Sequence, residues 1–201
     1  MRVHSNASFE SPESPESPGT LHVMRATEAQ LPAVAEMRAE AAYEEAVFDR
    51  LRATKQKRFA SKELDRLQRL AQCSEVTTSW TLVAVEEGRV VGSVDVSVAK
   101  EDVLRDAGLA VDENVDSAHH YVDNVVVKEA CRGRGVGTRL MEAVEVEVGG
   151  GAGVLFVRVE MNNTEAVRLY AKLGYENICG SDDDECASTV GVVVALCKRM
   201  T

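Results

Sequence analysis

The segment Arg132-Gly133-Arg134-Gly135-Val136-Gly137, "RGRGVG", constrains this chain more than any other. It follows an apolar run, "YVDNVVV", and precedes "TRLMEAVEVE", where Val136, Leu140, Ala143 and Val144 recur at helical spacing. Val125, Val126 and Val127 are too continuous for a strand with a solvated face, so they predict a central strand. The glycines therefore fall on a strand-to-helix turn. There the first helical amides lack internal partners and the macrodipole is positive. Glycine lets the backbone approach a phosphate oxygen, and two arginines add charge. An Arg/Gly segment for nucleic acid would instead be repetitive and set in basic surroundings. This chain of 201 residues carries Lys+Arg 23 against Asp+Glu 33, a net charge of −10. That balance argues against nucleic acid and anionic membrane as partners, since both bind through counterion release at basic surfaces. The turn is expected to hold a phosphate.

The rest of the chain supports one domain, residues 21–201, behind a leader at 1–20. "SFESPESPESPGT" repeats Ser-Pro-Glu without an apolar period and reads as disordered. It has the serines of an organelle transit peptide but also glutamates, which such peptides avoid. A 45% hydrophobic content can bury a core. The longest apolar run, around Val192 to Cys197, is too short to span a bilayer. Cys73, Cys131, Cys179, Cys186 and Cys197 show no CxxC or Cys/His metal spacing, so reduced, mostly buried thiols are expected; Cys131 alone stands beside the glycine turn. "TLHVMRAT" reads as an edge strand. Thr27-Glu28-Ala29-Gln30 has capping-box spacing before an amphipathic run through Leu31, Val34, Met37 and Ala41. A second helix is expected from around Ser61, with Leu64, Leu67 and Leu70 on one side. "WTLVAVEEGRVVGSVDVSV" predicts a hairpin turning at Glu86-Glu87-Gly88-Arg89. A polar insert, 100–118, precedes the central strand. His119 and His120 have no third ligand at metal spacing and are expected in a loop; no metal is expected.

The glycines fit neither the dinucleotide fingerprint nor the P-loop: their spacing is wrong for the first, and no G-K-[ST] follows for the second. Arg132-x-x-Gly135-x-Gly137 does resemble the (Q/R)-x-x-G-x-(G/A) signature of the acetyl-CoA-dependent N-acetyltransferases of the GNAT superfamily. A second block, "VLFVRVEMNNTEAVRLYAKLGYE", is similar to that family's N-x-x-A-x-x-L-Y-x-x-x-G-(F/Y) segment at Asn163, Ala166, Leu169, Tyr170, Gly174 and Tyr175. Read from the residues alone, Asn163 is a good N-cap, Ala166, Leu169, Tyr170 and Leu173 share a face, and Gly174 stops the helix. The resemblance implies an α+β (α/β) GNAT fold, a central mixed twisted sheet of about six or seven strands flanked by about four helices.

It also implies roles. Backbone groups of Val125 and Val127, with Val126 between them, would pair with the pantetheine arm of acetyl-CoA. The amides of Arg132, Gly133, Arg134, Gly135, Val136, Gly137 and Thr138 would hold the pyrophosphate, with the Arg134 side chain available to a phosphate. Asn163 would hold the pantetheine arm or a water, and Tyr170 would protonate the departing thiolate. A phenol near its ordinary pKa of roughly 10 is protonated at neutral pH and can do this. The attacking amine must lose a proton. Where many protein-amine members carry a glutamate, five residues before Asn163, this chain has Arg158; Glu160 lies on the same strand face. Asp123, nine residues before Arg132, stands where other amine acetyltransferases place a polar acceptor, and Tyr121 faces the same way. Asp123 is favoured over Glu160 as the proton acceptor.

The wording "YVDNVVVKEACRGRGVG" is similar to that of plant and algal plastid GNAT proteins, which implies a chloroplast stroma location and acetylation of protein N-termini or lysines. Two alternatives stand beside an amine-bearing protein or peptide substrate. One is a small amine such as serotonin, against which the low aromatic content of 4% counts. The other is a non-catalytic acyl-CoA-binding regulator, for which a proton donor at Tyr170 has no use. The acidic run Asp182 to Glu185 is expected to be solvated loop charge.

Overall fold

Alternation of valine and small polar residues over 79–98, broken by Glu87-Gly88, builds the heart of the sheet. In the computed structural model, β2 (Ser79–Glu86) and β3 (Arg89–Val98) form that hairpin, with Glu86 opposite Arg89. Glu87 (φ 49°) and Gly88 (φ 72°) both lie in the left-handed region, the conformation a two-residue turn of this hand requires. The structure describes residues 20–44, 50–72, 79–99, 119–149, 153–177 and 193–199. The leader through residue 19, the 100–118 insert, the Asp182 to Glu185 run, and Cys73, Cys179 and Cys186 lie outside the described residues.

Among the described residues, seven strands form one sheet in the order β1-β2-β3-β4-β5-β7-β6. β1 is His22–Arg25, β4 His120–Val127, β5 Val154–Glu160, β6 Glu176–Asn177 and β7 Val193–Arg199. Only β4 and β5 run parallel; the other pairs are antiparallel. The crossover between them is α3 (Val136–Val148), as a parallel connection demands. Two further helices, α1 (Leu31–Ala42) and α2 (Arg52–Gln72), precede β2, and α4 (Thr164–Lys172) follows β5. The expected mixed sheet with four helices is what forms, and Val125 to Val127 belong to its central strand.

Each face of the sheet buries its own core. Leu82, Val94, Val122, Leu155 and Val157 pack with Leu140 and Val144 of α3 and Tyr170 of α4. On the other face, Val83 and Val90 pack with Leu31, Val34 and Met37 of α1 and Leu67 of α2. The Thr27 N–H donates to Gln30 Oε1 at 2.9 Å, so the capping box forms, although it closes a 3-10 turn (Glu28–Gln30) and α1 proper begins at Leu31. Two expectations need correction. α2 starts at Arg52, well before Ser61, because its first turns, "RATKQKR", are exposed helix formers with no apolar stripe to mark them. His120 is the first residue of β4 rather than a loop residue, its ring edge-on to Trp80 at 5.7 Å, while the His119 Nδ1 accepts from the Val154 N–H at 3.2 Å.

Candidate active site

The two parallel strands separate. β4 and β5 pair at His120 with Leu155, Tyr121 with Phe156, and Val122 with Val157, and no further. Beyond that point β4 carries a bulge, where Asn124 (φ 51°) and Val125 together stand opposite Val94 of β3. Asn is among the few non-glycine residues that adopt this backbone readily. The bulge turns β4 away from β5, and the edge from Asn124 to Val127 faces an opening instead of a neighbouring strand.

That opening is a cleft of about 740 Å³. Val125, Val126 and Val127 form one wall. The glycine turn closes one end, and α4 supplies the opposite wall with Asn163, Leu169 and Tyr170. Every residue predicted to hold cofactor lines it, with Arg134 as the exception. Gly135, at φ 82°, is the N-cap of α3, and the first helical bond runs from the Arg139 N–H to the Gly135 carbonyl at 3.0 Å. The amides of Val136, Gly137 and Thr138 are therefore without helical partners at the cleft. A side chain at Gly137 would put its Cβ 3.2 Å from Leu169 Cδ2, so glycine there lets α3 and α4 close around the turn.

The two arginines of the turn diverge. Arg132 lines the cleft; its Nε donates to the Val127 carbonyl at 3.2 Å, and its guanidinium binds both oxygens of Glu44 at 2.8 and 2.6 Å. Arg134 does not line the cleft itself. Its guanidinium donates to Glu86 at 2.6 and 3.0 Å and, with Arg139 and Glu142, lines an adjoining depression that shares Gly135, Val136, Thr138 and Lys172 with the cleft. The Arg134 side chain, expected to be available to a phosphate, is half exposed and here pairs with Glu86 of β2. Cys131 is buried in the cleft floor, its sulfur 3.9 Å from Arg134 Nη1.

α4 is built as the sequence predicts. Asn163 caps it by accepting from the Ala166 N–H at 3.1 Å. At the other end the Tyr175 N–H returns to the Tyr170 carbonyl at 3.0 Å and the Gly174 N–H to Ala171 at 3.1 Å, a Schellman ending at Gly174. This fixes Tyr170 and Tyr175 ring against ring, centroids 5.5 Å apart, with Tyr170 only 4% exposed. Burial pushes the Tyr170 phenol well above its ordinary range, and the charge of Asp123 and the neighbouring Tyr121 add to the effect. Tyr121 is raised by burial and by Asp123, with Arg158 acting in the opposite sense. Asp123, Tyr121, Arg158 and Tyr170 thus share one electrostatic neighbourhood where β4 leaves β5. Asp123 is exposed and its Oδ1 accepts from the Asn124 N–H at 2.8 Å. Glu160 is exposed at the end of β5, opposite Val193 of β7, and does not figure among the groups acting on Tyr170.

Sequence reasoning missed two sets of residues. Arg168 and Lys172 line the cleft from α4; they lie four apart on a helix already known to approach the turn, and that basic stripe was the available signal. Arg38 and Asp95 are 3% and 6% exposed and meet under α1. Their signal was a charge inside each apolar pattern, Arg38 directly after Met37 and Asp95 within "VVGSVDVSV". Among the described residues no cluster of metal-ligating side chains occurs.

With this geometry in hand, the family model of the acetyltransferase (GNAT) family matches residues 42–175. The chain belongs to the GNAT acetyltransferase family. It is an enzyme of that family, whose acetyl donor is acetyl-CoA. Solved structures repeat the fold. The PaiA N-acetyltransferase from Thermoplasma acidophilum, solved with coenzyme A, shares 11% identity at a TM-score of 0.62, covering 90% of this chain and 99% of its own. A ribosomal-protein-alanine N-acetyltransferase from Brucella melitensis shares 21% identity at 0.57, covering 89% and 99%. The protein yncA from Salmonella typhimurium, solved with acetyl-CoA, shares 18% at 0.57, covering 90% and 95%. No curated protein matches the chain in sequence.

Proposed function

We propose that the chain transfers the acetyl group of acetyl-CoA to an amine of a protein, an N-terminal α-amine or a lysine ε-amine, by direct attack while both substrates are bound. One observation carries the reading: Tyr170 lines the cleft beside the unpaired end of β4, and the charges of Asp123 and Tyr121 on that strand act on its phenol. The residues fit coenzyme A. The unpaired edge at Val125 and Val127 suits the amides of a pantetheine arm. The amides of Val136, Gly137 and Thr138 suit a pyrophosphate, with the Arg132, Arg168 and Lys172 side chains as its cations. A Cβ built on Gly135 meets nothing within 4 Å, so the turn leaves open space where a phosphate oxygen would come.

When bound, acetyl-CoA supplies an activated acyl group. Asp123, exposed beside the bulge, accepts the proton of the incoming ammonium, and Tyr170, kept protonated by its burial, donates from Oη toward the thioester sulfur. The exposed acceptor side at Asp123 and Arg158 suits a chain arriving from solvent and favours a peptide over a small aromatic amine. The wording of the central strand supports a reading of the enzyme as a plastid-stroma protein, which a fluorescent fusion of the full chain tests.

The activity is tested by mass spectrometry after incubation with acetyl-CoA and three acceptors: peptides with free α-amines, peptides with lysine amines only, and serotonin. Acetylated peptide is expected. Acetyl-serotonin alone moves the enzyme to the small-amine class. Bound acetyl-CoA with no product on any amine points to the non-catalytic regulator.

A further inference from the structure

Beneath α1 lies a buried polar hub. Arg38 donates through Nη1 and Nη2 to both oxygens of Asp95, at 2.8 and 2.9 Å, through Nε to the Ser93 hydroxyl at 3.0 Å, and to Glu63 at 2.8 Å. Arg66 of α2 donates to Asp95 at 2.6 Å and to Glu63 at 2.7 and 2.9 Å. The Thr81 hydroxyl donates to Asp95 at 2.6 Å. Two guanidinium and two carboxylate groups balance in charge, and such an assembly contributes little stability beyond what apolar packing would give. What it does supply is direction.

The last donor to Asp95 is the Asn124 side-chain amide, at 3.0 Å. Asn124 is the bulge residue of β4, and its backbone N–H holds Asp123 Oδ1 at 2.8 Å. One carboxylate thus receives donors from α1, α2, β2 and the bulge. On the reading that Asp123 and the β4 edge serve acetyl transfer, we infer that Asp95 is a positioning residue: through Asn124 it sets the bulge and the aim of Asp123, and it ties that geometry to the seating of α1 and α2. Helices α1 and α2 and the reacting strand then form one mechanical unit.

The test compares three variants of the full chain. Asn124→Gly keeps the left-handed backbone but removes the amide that reaches Asp95 and, at 3.4 Å, Asp123 Oδ2. Ser93→Ala removes a bond of the same hub that does not reach β4, and Arg66→Met cuts α2 from Asp95. Asn124→Gly is expected to lower kcat about 10- to 100-fold, as a small misplacement of a reacting group does, with acetyl-CoA affinity held within about 3-fold. Ser93→Ala should leave kcat near that of the parent at a similar melting temperature. Unchanged kcat in Asn124→Gly, or an equal loss in Ser93→Ala, overturns the inference. A second readout needs no activity: hydrogen exchange by mass spectrometry. In Arg66→Met, amides of 122–127 should exchange about 10-fold faster while those of β2 and β3 do not. Exchange that is unchanged, or raised evenly over the sheet, overturns the inference even if no amine is ever acetylated. Failure of the parent protein to acetylate any amine overturns the functional reading alone.

Discussion

Arg132 and Glu44, 88 residues apart in the chain, form a two-pronged ion pair at the mouth of the cleft. The hydrogen bond from Arg132, more than its charge, holds the Glu44 carboxyl below its usual range. A pyrophosphate entering the glycine turn therefore meets a cation that already has an anionic partner. Glu44→Gln removes that competitor. Coenzyme A should bind about 3- to 10-fold more tightly at low salt, with the gain shrinking as salt screens it. Isothermal titration at two salt concentrations checks this; equal affinities at low salt would show that Glu44 does not compete.

Tyr170→Phe keeps the ring packed on Tyr175 and deletes only the hydroxyl. Turnover should fall roughly 10²- to 10⁴-fold, with acetyl-CoA binding and melting temperature close to those of the parent. Steady-state kinetics beside a binding isotherm gives the answer, and undiminished kcat removes Tyr170 from the chemistry.

Asp123 and Glu160 separate by the same logic. Of the two, Asp123 is the one whose charge raises the Tyr170 phenol. Asp123→Asn is expected to lower kcat by roughly 10²-fold and Glu160→Gln by no more than about 3-fold. The opposite ranking in a side-by-side assay assigns the proton to Glu160.

Gly135→Asp should abolish coenzyme A binding while the protein stays folded. The new side chain enters open space rather than a neighbour, so the structural cost is mainly that of a left-handed φ of 82°, about 1–2 kcal/mol. That corresponds to a fall in melting temperature of several degrees. Gly135→Ala carries the same strain without the charge and should bind coenzyme A weakly. A Gly135→Asp protein that still binds would show that the turn does not hold phosphate.

Acid stability reports on the hub. Burial alone would raise Asp95, but the hydrogen bonds and charge of Arg38, with Thr81 and Arg66, hold its carboxyl down at about 2. A depressed carboxyl stabilises the fold above its unfolded pKa of about 3.9 and loses that contribution as pH falls toward about 2; the shift corresponds to roughly 2 kcal/mol. Urea melts between those pH values should show the slope in the parent and a shallower one in Asp95→Asn, which is also weaker at neutral pH by about 3 kcal/mol. Identical slopes would detach Asp95 from the acid transition.

The parts legible in the sequence are those with a local cause. The turn at Glu87-Gly88, the Asn163 cap, the Gly174 stop and the strand-turn-helix around Gly135 each follow from residue chemistry within a few positions. The Arg134–Glu86 ion pair is not legible, because Glu86 lies 48 residues away on β2 and no local pattern announces that meeting. The hub stayed hidden for the same reason: Asp95 and Arg38 look like surface charges until β3 and α1 are stacked. α2 was placed late because an exposed helix leaves no apolar stripe.

The short ladder between β4 and β5 has a further meaning. With three matched pairs the sheet is a zip left partly undone, and the open teeth belong to one strand, Asn124 to Val127. An arm of coenzyme A lying along them would do the work of a missing strand. The small molecule would then be the last piece of the protein's own architecture, and each release of spent coenzyme A would unfasten it again.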